Sequence, residues 1–377
     1  MNIKRTIKQE ILKRLSPKRA IVIYGPRRVG KTTLIKEIVA ESKSKKIKFI
    51  SGEDVNVQKW LSSQSIEELK SHVGDTELLV IDEAQYVNKI GLNLKLIIDH
   101  IETVNIIATG SSSFELSNQI GEPLVGRKWQ FELFPFAQLE LKEYEALHET
   151  QARLEERIIF GSYPEVVLAE NKDEKQMILE SIVDNNLYKD AIILDDVRRS
   201  QKIIDLLKLI AFQIGQEVSL NELSNALGLN IETVARYLDL LEKVFVIKRV
   251  GGFSRNLRKE VTKTARYYFY DNGVRNAVIQ NFNTLDLRND VGQLWENYLF
   301  MERLKKRKYQ NMYANMYFWR TYDQKEVDLV EERDGKLYGY EFKWGPKKVK
   351  PPKLWLETYE EAEFEFINKD NYLEFIA

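Results

Sequence analysis

The apolar run Ala20-Ile21-Val22-Ile23-Tyr24 stops at Gly25, and Gly25-Pro26-Arg27-Arg28-Val29-Gly30-Lys31-Thr32 leads straight into the helical pattern Thr33-Leu34-Ile35-Lys36-Glu37-Ile38. A strand, a glycine-bounded loop and a helix start, in that order, leave few folds open: the strand belongs to a parallel sheet covered by helices. The two glycines let the backbone curl until successive N–H groups and the helix N-terminus converge on one phosphate-sized space. Lys31 would reach the β/γ oxygens of a nucleotide held there, and Thr32 would offer its hydroxyl to Mg²⁺. The candidate phosphate-binding residues are Gly25, Pro26, Arg27, Arg28, Val29, Gly30, Lys31, Thr32 and Thr33.

Such a site needs an acid delivered to the metal by another strand. The run Leu78-Leu79-Val80-Ile81 reads as a buried parallel strand, with Asp82-Glu83 at its carboxyl end, where ligands bind in open α/β sheets. Asp82 is expected to hold Mg²⁺ through water, and Glu83 to polarise the attacking water. A third strand, Val104 to Ala108, ends in Thr109-Gly110-Ser111. Ser111 is a candidate γ-phosphate sensor with Thr109 as the alternative, and the cluster is also ordinary turn chemistry.

Composition narrows the chemistry. In 377 residues, Lys+Arg and Asp+Glu both number 57, so net charge gives no general argument for or against a polyanion partner. There is no cysteine, which excludes disulfides, thiol nucleophiles and Cys-ligated zinc. Only His72, His100 and His148 are present, and they are scattered, so catalysis falls to carboxylates, Lys, Arg and hydroxyls. The amino terminus has no apolar leader pattern, and no apolar stretch approaches membrane-spanning length. The chain is expected to be soluble and cytoplasmic, with no membrane partner.

The pattern divides the chain into four stretches. Residues 1–135 alternate strands with helices as a nucleotide-binding α/β core. Residues 136–200 read as a helical lid, interrupted by the turn Gly161-Ser162-Tyr163-Pro164-Glu165. In 201–272, Ser219 caps Leu220 to Leu227, Gly228 breaks that helix, and Asn230 caps Ile231 to Lys243. Two strands around a loop beginning Gly251-Gly252 follow, which is winged-helix grammar. The stretch from Lys248 to Arg266 holds seven basic residues against one acid, Glu260. From it Arg249, Arg255, Arg258, Lys259 and Lys263 are the candidate DNA contacts, directed at the backbone because Ile231 to Lys243 carries Glu232, Asp239 and Glu242.

Residues 273–377 open with a helix through Leu294 to Leu299, followed by three strands, the last two joined at Asp334-Gly335. Period-2 alternation sends Glu341 and Lys343 to one face, with Asp328 on the neighbouring strand able to meet them. Asp328 and Glu341 would bind Mg²⁺ and Lys343 would orient the water of a phosphodiesterase, or all three would form a cross-strand ion-pair network. The runs Arg303 to Lys308 and Lys347 to Lys350 slightly favour a polyanion partner.

Gly25 to Thr33, Ile81-Asp82-Glu83-Ala84, Thr109-Gly110-Ser111-Ser112, Gly126-Arg127 with Phe131 to Phe136, and Gly161 to Glu165 together resemble a family of prokaryotic AAA+ ATPases. Its members carry a winged helix and a C-terminal domain of unknown function with a PD-(D/E)XK nuclease-like core, and the resemblance spans nearly the whole chain. It implies ATP binding, a P-loop sheet domain with a helical lid, and a restriction-endonuclease-like C-terminal domain. It also implies an arginine completing a neighbouring subunit's site in a homo-oligomer, for which Arg127 is the candidate, the alternative being a surface arginine paired with an acid such as Glu132. Three functions follow: an ATPase governing a DNA-contacting module, an ATP-gated metal-dependent nuclease, or a switch that binds protein partners without nucleic acid.

Overall fold

The computed structural model describes residues 3–111, 123–184, 200–254, 265–321, 325–346, 349–359 and 361–377. The chain forms two compact units: residues 2–134 with 243–245, and residues 135–242 with 246–377.

The first unit is built on a five-stranded parallel sheet. Its strands are β1 (Ala20–Tyr24), β2 (Ile47–Ser51), β3 (Leu78–Asp82), β4 (Asn105–Gly110) and β5 (Lys128–Glu132), ordered β2-β3-β4-β1-β5. Every residue of β1 is buried, as are the apolar residues of β3 and β4, because helices cover both faces of a parallel sheet. The order inserts β4 between β1 and β3, so the strand that feeds the loop and the strand that carries Asp82 are not neighbours. Parallel pairing brings all three carboxyl ends to one edge: Tyr24 lies beside Gly110, and Ile81 beside Ala108.

In the second unit, helix Ser200–Phe212 is followed by β6 (Glu217–Val218), helices Leu220–Leu227 and Ile231–Lys243, β7 (Ile247–Gly251) and β8 (Ala265–Phe269). The strands form an antiparallel sheet ordered β6-β8-β7. The caps are those expected from sequence: Ser219 Oγ accepts from Glu222 N at 3.4 Å, and Asn230 Oδ1 accepts from Thr233 N at 2.7 Å. Gly228 ends the first helix at φ 61°.

Further along, β9 (Asn315–Arg320), β10 (Glu326–Arg333), β11 (Lys336–Phe342) and β12 (Glu363–Ile367) form a sheet ordered β12-β11-β10-β9. Asp334 and Gly335, both at positive φ, make the β10–β11 turn. The helix Val291–Tyr309 is buried on most sides, and this reassigns the basic run at its end. Arg303 grips Glu331 with two bonds of 2.8 and 2.9 Å, and Lys305 donates to Glu302 and to the Phe136 carbonyl. Lys306 donates to the carbonyls of Glu374 and Phe375, and Arg307 to that of Ala314. Sequence alone counted charges and suggested a polyanion surface. Arg303, Lys305, Lys306 and Arg307 satisfy neighbouring groups instead, while Lys308 is exposed.

No helix among the described residues is long and apolar enough to cross a membrane.

Candidate functional site

The loop between β1 and helix Lys31–Glu41 lies at the carboxyl edge of the first sheet. Gly25 has φ 155°, and a side chain there would overlap the Leu133 carbonyl. Gly30 has φ 92° as the helix N-cap, and Arg28 has φ 61°. Pro26 and Val29 are buried, Arg27 is half-buried and donates to the Tyr86 hydroxyl at 3.1 Å, and Thr33 is exposed on the first helical turn. The first helical bond runs from Leu34 N to Gly30 O, so the N–H groups ahead of it lack intrahelical acceptors. Lys31, buried, donates to the carbonyls of Gly25 and Pro26 at 2.9 and 2.8 Å, which folds its ammonium over the loop.

The acids meet this loop from the side. Thr32 Oγ1 donates to Asp82 Oδ2 at 2.8 Å, and Thr109 Oγ1 donates to Asp82 Oδ1 at 2.5 Å. Thr109 Oγ1 also accepts from Glu83 N at 3.2 Å. Glu83 sits in the left-handed region at φ 52°, turning the chain out of β3 into the short 3-10 helix Ala84–Tyr86. Thr109 and Ser111, alternatives by sequence, have separate surroundings. The Thr109 hydroxyl is committed to Asp82 and Glu83, whereas Ser111 accepts from Gln85 Nε2 at 3.1 Å. Neither the strut Thr109 nor Gln85 was assigned these contacts from sequence; the available signals were Gln85's place two residues after Glu83 and Thr109's at the end of the third strand.

The pairing of Thr32 with Asp82 bears on Mg²⁺. A hydroxyl and a carboxylate oxygen within hydrogen-bond distance are the hard oxygen donors that this ion takes, with water completing the shell. Residues Thr32 and Asp82 therefore fit the group expected there.

Arg127, just ahead of β5, pairs through Nε with Asp99 Oδ1 at 2.8 Å, both side chains being partly exposed. The partner suggested from sequence was Glu132.

In the second unit the carboxylates of β10 and β11 also come together. Phe342 N donates to Asp328 Oδ2 at 2.8 Å, and Lys343 Nζ pairs with Glu341 Oε1 at 2.7 Å. Arg266, expected on the basic wing, is instead 3% exposed and lies among Glu296, Glu326 and Asp328. Burial works against its charge, but Tyr268 and these carboxylates hold it protonated. Among the described residues, no group of three or more His, Asp or Glu side chains is gathered to hold a metal ion. Asp328 lies beside Arg266 and Glu341 pairs with Lys343. Lys248 pairs with Glu242 at 2.5 Å, and Arg249 is exposed on β7. Arg255, Arg258, Lys259 and Lys263 lie outside the described residues.

Burial, reinforced by Asp328, pushes the Glu296 carboxyl up to about 8 and the Glu341 carboxyl to about 7. A carboxyl raised in the folded protein contributes stability that is full below its unfolded value and lost as pH rises through its folded value. Thermal unfolding should therefore show stability falling by on the order of 2 kcal/mol between pH 6 and 9. Glu296→Gln, which resembles the protonated acid, should flatten that fall.

Three stretches match known family models: residues 17–142 an AAA domain, 151–285 the domain of unknown function DUF8612, and 291–366 the domain of unknown function DUF4143. The P-loop, the five-stranded parallel sheet and the first match make the amino-terminal region an AAA-type P-loop NTPase domain. Similar chains include an uncharacterized protein of Methanocaldococcus jannaschii, 26% identical over 86% of this chain and 75% of its own. Others are an uncharacterized protein of Haemophilus influenzae, 26% identical over 83% and 79%, and one of Mycobacterium tuberculosis, 24% identical over 86% and 70%. A solved structure of a signal transduction ATPase with numerous domains and a tetratricopeptide repeat sensor, from Pyrococcus horikoshii, aligns over 81% of this chain at 14% identity and TM-score 0.33. The chain spans 46% of that protein's length.

Proposed function

We propose that the chain is a Mg²⁺-dependent ATPase acting at the loop Gly25 to Thr33 with Asp82 and Glu83. The observation that carries this reading is the convergence of Lys31, Thr32 and Asp82 at the helix N-terminus, with Thr109 bracing Asp82 from the intervening strand. The loop N–H groups and Lys31 would bind the β- and γ-phosphates, Lys31 exchanging two neutral carbonyls for anionic oxygens. Thr32 and Asp82 would hold Mg²⁺, which when bound neutralises charge on the β- and γ-phosphates. Glu83 would take a proton from the attacking water as its oxygen bonds to the γ-phosphorus. The bond from that phosphorus to the β–γ bridging oxygen breaks, its electron pair leaves with ADP, and the proton passes on to solvent. Phosphate release assayed with ATP, with and without Mg²⁺, tests this: wild type should need the metal, and Lys31→Ala should lose at least about 100-fold in turnover. Equal release by both proteins would contradict the assignment.

In the finer reading, nucleotide state governs the rest of the chain: a lid at 136–200, a winged helix at 201–272 and a nuclease-like domain at 273–377. The helix pair joined through Gly228 and followed by the antiparallel β7–β8 pair supports the winged helix. Backbone contact with DNA would run through Arg249 together with Arg255, Arg258, Lys259 and Lys263. Titration of duplex DNA at several salt concentrations, with and without ATP, is the test, and affinity indifferent to ATP at every salt would rule the coupling out. The lattice around Arg266 favours a nuclease-like domain without cleavage over an active nuclease with Asp328, Glu341 and Lys343 as its residues. Metal-dependent cleavage of DNA, abolished by Asp328→Ala, would reverse that preference. Arg127 would serve a neighbouring subunit only after leaving Asp99, so turnover per molecule should rise with protein concentration if it acts in trans.

A further inference from the structure

The Glu83 carboxylate is not left to solvent. Its Oε2 accepts from Gln85 Nε2 at 2.5 Å, and the same nitrogen lies 3.1 Å from Ser111 Oγ. A side-chain amide nitrogen carries two hydrogens, so one group can serve both acceptors. Gln85 is 6% exposed, and its Oε1 is buried without a hydrogen-bond partner. A buried amide that leaves its carbonyl unsatisfied while placing its nitrogen between two functional side chains is held by those two contacts. The backbone on either side is fixed as well. Glu83 N is bonded to Thr109, and Tyr86 N closes the 3-10 turn on Glu83 O at 3.2 Å.

We infer that Gln85 is a positioning residue for ATP hydrolysis, tying the water-activating carboxylate of Glu83 to the hydroxyl of Ser111 that faces the γ-phosphate. The inference rests on the ATPase reading above and deepens it. With Oε2 occupied by Gln85, Glu83 presents Oε1 to the water. A serine hydroxyl has one hydrogen and two lone pairs, so Ser111 can donate to a γ-phosphate oxygen while still accepting from Gln85. The bridge therefore survives nucleotide binding, and it aligns Glu83 when the phosphate fixes Ser111.

Gln85→Met tests this, because methionine fills the same buried space without a donor. Binding of a fluorescent ATP analogue and the KM for ATP should stay within about twofold, while kcat falls about 10- to 100-fold, the scale of a misplaced catalytic group. Ser111→Ala should also lower kcat, and Gln85→Met/Ser111→Ala should lose no more than the larger single loss, since both break one bridge. Turnover of Gln85→Met within twofold of wild type, or single losses that multiply in the double variant, would overturn the inference. A role in folding alone would lower the melting temperature and raise KM without the kcat-specific loss, and that result overturns it too. If the folded wild type binds no ATP analogue, it is the ATPase reading beneath that fails.

Discussion

Replacing Glu83 by glutamine should lower ATP turnover by about 10²- to 10⁴-fold and leave ATP binding intact. The side chain keeps its length, and its amide oxygen can still accept from Gln85 Nε2, so the 3-10 turn and the Thr109 contact are undisturbed. What is lost is the capacity to take a proton. In the proposed reading, phosphate binding would fall to Lys31 and the loop N–H groups, and the Mg²⁺ shell to Thr32 and Asp82, none of which this substitution touches. Rapid phosphate-release kinetics beside equilibrium binding separate the two quantities. An equal fall in binding and turnover would instead make Glu83 a ligand-binding group.

The second large effect lies in the other unit and concerns stability. Asp271 follows β8 by two residues and caps helix Asn272–Val278, accepting from Gly273 N and Val274 N at 2.9 and 3.2 Å. Its other oxygen accepts from Ser162 N at 2.7 Å, in the turn Gly161 to Glu165. It is 5% exposed. Asp271→Ala leaves three buried donors without an acceptor, each costing about 1–3 kcal/mol, so a total near 4 kcal/mol is expected in urea unfolding. Gly161 lies so close that a Cβ there would overlap the Asp271 carboxylate, and its φ is 72°. Gly161→Ala should therefore destabilise the same unit by a comparable amount. A cost below about 1 kcal/mol for both would mean that the turn is not locked in this way.

How much of this was legible in sequence depends on the range of the interactions. The phosphate loop was, because strand, glycines and helix start are contiguous and each has a local cause. The caps Ser219 and Asn230 were, for the same reason. Thr109 as a brace for Asp82 was not, since it follows from β4 lying between β1 and β3, a strand order that no local pattern specifies. Asp271 was not singled out in sequence, and its bond to Ser162 spans 109 residues. Charge counting misled in two places. Arg266 was counted with the wing and Arg303 to Lys308 with a polyanion surface, whereas Arg266 is buried among carboxylates and Arg303, Lys305, Lys306 and Arg307 bond to carboxylates or carbonyls, leaving Lys308 exposed. Composition reports how many charges there are and nothing about which of them face solvent.

The central claim is that Gly25 to Thr33, with Asp82 and Glu83, form an ATP site. Calorimetric titration of ATP with Mg²⁺ into wild type and Lys31→Ala tests it most directly. The wild type should bind one nucleotide per chain, and Lys31→Ala, folded by circular dichroism, should bind at least about tenfold more weakly through loss of a charge-assisted contact. Equal affinity in the two proteins, or no binding by folded wild type, would contradict the assignment.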